Sequence, residues 1–429
     1  MLNDPRTLNG WALFDWANSA FALVITTAIF PPYFVGVIED RFTVAGIEFE
    51  DSAWLSWTIT FSYLVIALLS PVLSGIADAG GRRKFFLRIF TLLGGLSCLC
   101  LFFFTGTDTL WMGTLAFAGG LIGFAGGLVF YNAFLPVIAT PDRFDRISAR
   151  GFAFGYVGSV ILLLVNLAMV QKPGWFGLPE DGTLPVRMAF VTVGVWWLVF
   201  AAISLARLPD DVRTPGTGFG DMINRGIDEL RGVWRKVRAS IPTKRFLLAF
   251  FCYSAGVQTV IFLASTFASK ELGFEQAELI AVVLILQVVA IGGAYLASAV
   301  SGRYGNKTGL YFQLIIWFAI CLAGYFVQGK GLFYGVAAAV GLVMGGIQSL
   351  SRSTYAKLIP SREDVTSYFS FYDILEKLAI VLGTFIFAGL NQLTGSMRLS
   401  LLALSLFFAL GMVVLSTFRL PQPEAETIP

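Results

Sequence analysis

The sequence predicts an all-α integral membrane protein, with 12 transmembrane helices in two six-helix bundles, on three observations. Hydrophobic residues make up 56% of the 429 residues and charged residues 13%, with a mean hydropathy of +0.76, so most of the surface must face lipid. Twelve apolar stretches are present, each near the roughly 20 residues needed to cross about 30 Å of hydrocarbon. A polar, charged segment divides them six and six.

In order, the spans fall at 11–36, 53–77, 85–105, 110–138, 149–171, 187–206, 246–268, 277–299, 309–328, 332–356, 367–390 and 397–418. An even count puts both termini on one side of the membrane. Lys and Arg gather in cytoplasmic loops. With the N-terminus inside, 23 of the 30 basic residues lie on the inner side, six lie outside and Lys377 falls within a span. The expected topology is therefore N-in and C-in. The first outer loop agrees, because Glu39, Asp40, Glu48, Glu50 and Asp51 offset its single Arg41. The first span exceeds a signal-peptide core and lacks a small-residue cleavage site, so it is expected to stay in the mature protein of the cell membrane. The net charge of +3 reports topology and implies no nucleic-acid partner. Cys98, Cys100, Cys252 and Cys321 all lie in apolar spans, and no disulfides are expected.

The expected domains are an N-terminal bundle over 1–207, a cytoplasmic linker over 208–244 and a C-terminal bundle over 245–429. In the linker, Ile223, Ile227, Leu230, Val233, Trp234 and Val237 recur at spacings of three and four, with Arg225, Arg231, Arg235, Lys236 and Arg238 at other positions. That pattern predicts an amphipathic helix along the inner membrane surface. A sparse internal repeat supports two similar halves. At an offset of 219 residues Pro141, Arg143, Ser148 and Phe152 match Pro360, Arg362, Ser367 and Phe371, and at 224 Gly81 and Arg83 match Gly305 and Lys307.

The connection between spans two and three reads SGIADAGGRRK, Ser74 to Lys84. It resembles the cytoplasmic signature of the major facilitator superfamily at Asp78, Gly81, Arg82, Arg83 and Lys84, with the first glycine displaced to Gly75. The resemblance implies that Asp78 is a gate element, its carboxylate meeting the positive N-terminal end of span eleven. The alternative is a solvated Asp beside a positive-inside anchor. The segments GWALFDWANSAF (Gly10–Phe21), YNAFLPVIA (Tyr131–Ala139), GGIQSLSRSTYAKLIP (Gly345–Pro360) and FSFYDILEKLAIVLG (Phe369–Gly383) are similar to the branch containing fungal vacuolar amino-acid effluxers of the autophagy pathway and their bacterial relatives. That resemblance implies the major facilitator fold and solute transport, with amino-acid export as the finer expectation.

Ionisable residues inside spans are costly and mark sites or proton paths. Asp15, with Asn18 and Ser19 three and four residues on, gives span one a polar face; capping, or pairing with Arg146 or Arg150, is the alternative. In span eleven, Asp373 and Lys377 are four apart and can neutralise each other. Glu376 points about 100° from Lys377 and becomes the proton-coupling candidate. With no His in the chain, a carrier titrating near neutral pH must be a buried carboxylate. Asn132, Gln258, Gln287 and Gln348 are either substrate contacts or interhelical packing groups. Arg352 is either a fork for a substrate carboxylate or a snorkelling end residue.

Together these features predict a secondary transporter working by alternating access. Its partners are a small-molecule substrate, the lipid bilayer and protons, and it is expected to act as a monomer without a cofactor or metal. The sequence has no phosphate-cradling Gly-Lys-Ser loop and no G-x-S-x-G elbow, so neither an ATP-driven pump nor an enzyme is expected. A lipid flippase or scramblase on the same fold is the alternative.

Overall fold

The computed structural model describes residues 2–180, 182–211 and 219–420, with side chains in the last stretch from residue 224. Within them the twelve expected spans are α1 (Pro5–Val37), α2 (Asp51–Gly80), α3 (Arg83–Cys100), α4 (Leu110–Ala133), α5 (Phe144–Gln171), α6 (Leu184–Arg207), α8 (Ile241–Leu272), α9 (Gln276–Tyr304), α10 (Asn306–Phe326), α11 (Lys330–Lys357), α12 (Val365–Thr394) and α13 (Met397–Ser416); α7 (Phe219–Ala239) is the linker helix. Eleven of the twelve are long and apolar enough to cross a membrane by length and composition. The remaining one, α12, is 30 residues long and carries Asp373, Glu376 and Lys377. Large apolar side chains stand exposed along the spans, including Leu68, Leu115, Phe385 and Val413, as lipid-facing surfaces require.

The chain forms two compact units. The first comprises Met1–Ala139 and Arg150–Leu230, the second Thr140–Ala149 and Arg231–Pro429. The first six residues of α5, Phe144 to Ala149, therefore cluster with the second unit and the rest of that helix with the first. Helix α7 is divided as well. In the first unit its Gly226 crosses Gly75 of α2 so closely that a Cβ on either would strike the backbone around the other. This crossing explains why the glycine of the basic turn stands at 75. In the second unit Val233 and Val237 are buried and Trp234 lies 5.4 Å from Phe371, ring centre to ring centre.

Two local features escaped sequence reasoning. Helix α1 starts on an Asp4 cap, whose Oδ2 accepts the Thr7 N–H at 2.9 Å, with Pro5 at the first turn. It widens to a π-helix over Phe21–Ile29 before resuming as an α-helix over Phe30–Val37. The wider turns precede Pro31 and Pro32, whose missing N–H groups and ring bulk interrupt the i to i−4 ladder. The Thr27 hydroxyl donates to the Ala22 carbonyl five residues back at 2.9 Å. The acidic first loop folds into an antiparallel hairpin of β1 (Arg41–Val44) and β2 (Ile47–Glu50), joined by Ala45 and Gly46, both at positive φ. Such a turn matches the twist of the strands. Phe42 and Phe49 pack on Trp54 of α2 at 5.5 and 5.0 Å.

Gly81 ends α2 in the left-handed conformation, φ 59° and ψ 53°. Its N–H bonds the Asp78 carbonyl at 3.4 Å and the Arg82 N–H bonds the Ala77 carbonyl at 2.8 Å, which together form a Schellman motif. Gly81→Ala is expected to lower thermal stability in detergent by about 1 kcal/mol, because a Cβ disfavours this region. An unchanged melting temperature would refute the backbone reading of this glycine.

Candidate functional site

The candidate residues gather on facing helices within each unit. In the first unit Asp15 is 4% exposed in the interior of α1, well past the Asp4 cap, so it does not cap its own helix. Tyr131 of α4 donates its hydroxyl to Asp15 Oδ2 at 2.7 Å. The tyrosine ring is stacked on Trp11 at 4.6 Å and on Phe14 at 5.0 Å. The Trp11 indole N–H also donates to the Tyr131 carbonyl at 3.0 Å. Asn18, one turn above Asp15, is completely buried, and neither its amide oxygen nor its amide nitrogen has a partner. A buried amide left unpaired costs about 1–3 kcal/mol. Asn132 follows Tyr131 and is half-buried. Sequence reasoning missed Tyr131, although YNAFLPVIA contains it.

At the other motif of this unit, the Asp78 carboxylate pairs with Arg83 at 3.3 Å, and both side chains are buried. Asp78 is therefore not solvated. Lys84 is likewise engaged, its ammonium donating to the Leu208 carbonyl at 2.7 Å and to Asp210 at 2.8 Å. Arg82 stands at the turn, 6.0 Å from the centre of the Phe85 ring.

In the second unit, α12 presents Asp373, Glu376 and Lys377. Asp373 and Lys377 form the expected i,i+4 pair through Oδ1, while Asp373 Oδ2 is buried without a partner. Glu376, unpaired by sequence reasoning, accepts a hydrogen bond from Gln258 of α8 at 2.8 Å. Only the packing of α8 on α12 could reveal that contact. Gln348 is half-buried on α11, and Gln287 on α9 has a buried amide oxygen without a partner.

Arg352 is 3% exposed, so it does not snorkel to water. Its Nε donates to Ser148 Oγ and its Nη2 to the Ser148 carbonyl, both at 2.9 Å; Ser148 Oγ in turn donates to the Ser349 carbonyl at 2.8 Å. Next to it lies a network that sequence reasoning missed. Asp145 Oδ2 receives Lys357 at 2.9 Å and Ser301 at 2.8 Å, and its Oδ1 receives Asn306 at 2.8 Å. Asn306 returns its carbonyl oxygen to Lys357 at 2.7 Å and donates to Thr354 at 3.0 Å. The available signal was the internal repeat, because Asp145 and Asp364 also match at the offset of 219. Both are buried, and each binds one lysine, Asp364 taking Lys236.

Charged pairs and amides carried on packed apolar helices suit solute passage. Among the described residues no cluster of His, Cys, Asp and Glu capable of holding a metal is found. The profile of the family described as "Vacuole effluxer Atg22 like" matches residues 3–426. The chain is 31% identical over 408 residues to the MFS-type transporter YxiO of Bacillus subtilis (strain 168), covering 95% of this chain and 94% of that protein. It is 26% identical over 432 residues to autophagy-related protein 22 of Saccharomyces cerevisiae (strain ATCC 204508 / S288c), covering 88% and 80%. Among solved structures, the human organic anion transporter MFSD10 superposes with a TM-score of 0.72 at 13% identity, over 97% of this chain and 100% of that one. The proton:xylose symporter XylE gives 0.67 at 14% identity, over 97% and 94%. These relatives are transporters, and the twelve long helices have the fold of such structures. The chain is a multi-pass membrane transporter and belongs to the Atg22-like vacuole effluxer family, within the major facilitator superfamily.

Proposed function

We propose that this transporter exports amino acids across the cell membrane in exchange for or together with protons, with both termini in the cytoplasm. One observation carries the coupling: α12 bears two carboxylates, Asp373 and Glu376, against one ammonium, Lys377. A membrane-embedded excess of one negative charge is costly, and a proton on Glu376 offsets it. Gln258, donating to Glu376, positions that carboxylate. Asp15, Asn18 and Asn132 in the first unit, and Gln258, Gln348, Arg352, Asp373 and Lys377 in the second, are the proposed substrate and proton contacts. Asp78, Gly81, Arg82 and Arg83 are the proposed gate. The family description "effluxer" and the resemblance to amino-acid effluxers support the direction and the substrate class.

The test is uptake of a labelled amino-acid mixture by purified protein in liposomes, with and without an imposed proton gradient, against empty vesicles. Gradient-dependent accumulation is expected for the wild type. Glu376→Gln is expected to retain exchange down a concentration gradient and to lose the response to the proton gradient. An unaltered response would remove Glu376 from the coupling, and no uptake by folded protein would remove amino acids.

A further inference from the structure

We propose that the start of α3 holds an anionic phospholipid, its phosphodiester bound between Arg82 and Arg88 and one acyl chain laid along the helix. The site is a cleft of about 590 Å³, lined by Gly81, Arg82, Lys84, Phe85, Arg88, Asp210 and Asp211. Its charges divide into two sets. Lys84 is consumed internally: its ammonium binds Asp210 and the Leu208 carbonyl, and its backbone N–H donates to Asp211 at 2.7 Å. The guanidiniums of Arg82 and Arg88 make no ion pair or hydrogen bond among the described residues, that of Arg82 lying 6.0 Å from the centre of the Phe85 ring. Three cations against two carboxylates leave the cleft one positive charge, which a monoanionic head group neutralises. Two open guanidiniums suit a phosphate better than a single ammonium does.

The surface continuing from the cleft has the shape of a lipid tail. Phe85, Ile89, Leu92 and Leu96 are all exposed and lie at positions i, i+4, i+7 and i+11, on the same face as Arg88. From Arg88 to Leu96 the helix rises about 12 Å, close to one leaflet's hydrocarbon depth of about 15 Å. A snorkelling arginine alone needs neither the cleft nor a second unpaired guanidinium beside it. Basic pockets at membrane-helix ends bind anionic head groups by this combination. The acidic rim of Asp210 and Asp211 disfavours more highly charged ligands.

The experiment measures the melting temperature and the lipid adducts in native mass spectra of the full-length protein in detergent. The additions are dioleoyl phosphatidylglycerol, dioleoyl phosphatidylcholine or soluble glycerol 3-phosphate. The wild type is expected to retain phosphatidylglycerol with an apparent affinity about tenfold above phosphatidylcholine, and to be stabilised only by the former. Arg82→Ala/Arg88→Ala, shown folded by circular dichroism, is expected to lose that preference. Arg303→Ala/Arg362→Ala, which removes two exposed cations elsewhere, is expected to keep it. Equal retention of both lipids by the wild type, or an unchanged preference in the Arg82/Arg88 variant, would overturn the proposal. The same stabilisation by glycerol 3-phosphate alone would overturn the lipid assignment.

Discussion

Asp145→Ala is expected to lower stability by about 3–5 kcal/mol, the scale for removing one partner of a buried ion pair. The carboxylate receives Lys357, Ser301 and Asn306 within 2.9 Å, and the side chains of Asp145 and Lys357 are 9% and 17% exposed. Its loss leaves the Lys357 ammonium without its counter-charge and takes one acceptor each from Ser301 and Asn306. Replacing the pair together with residues of similar volume, Asp145→Leu/Lys357→Met, removes both charges and is expected to recover much of the loss, because a buried pair repays little beyond its own desolvation. A double-mutant cycle read from thermal unfolding in detergent checks this. Additive losses would mean that the two charges do not act as a unit.

Gly345→Ala is the second large effect, expected to destabilise by about 1–3 kcal/mol through overpacking. Helices α9 and α11 cross with backbones in contact: a Cβ at Gly345 would collide with the Ala290 carbonyl oxygen, and one at Gly341 would stand 2.6 Å from the Leu286 carbonyl oxygen. Neither obstacle is a side-chain end that can swing away. Gly335, on the same α11, has nothing within 4 Å of a would-be Cβ. Gly335→Ala is therefore expected to be neutral or to gain up to about 1 kcal/mol from helix propensity. Comparing the melting temperatures of the two variants decides the matter, and similar shifts would refute the crossing.

Residue patterns local in the chain were readable in advance. Eleven of the twelve spans are apolar runs whose length is set by the bilayer, so hydropathy located them, and α12 stands out by the three charges it carries. The Asp373–Lys377 pair was legible because helix geometry brings i and i+4 together. The turn at Gly81 was legible as a motif, although its reason, a positive φ closing a Schellman motif, required the backbone. The hairpin after α1 was hidden in an acidic loop, since its pattern spans only four residues a side.

By itself the sequence determined the membrane class, the positions of the spans, the polar linker, the family and which charges lie within apolar helices. Those properties depend on composition and on neighbours a few residues apart. Tertiary structure alone decided the partners of those charges: Tyr131 for Asp15, 116 residues away, Gln258 for Glu376, 118 away, and Ser148 for Arg352, 204 away. A buried polar group must find a partner or bear its desolvation. Which partner it finds is set by how helices pack, and that packing joins residues whose separation along the chain carries no periodic trace.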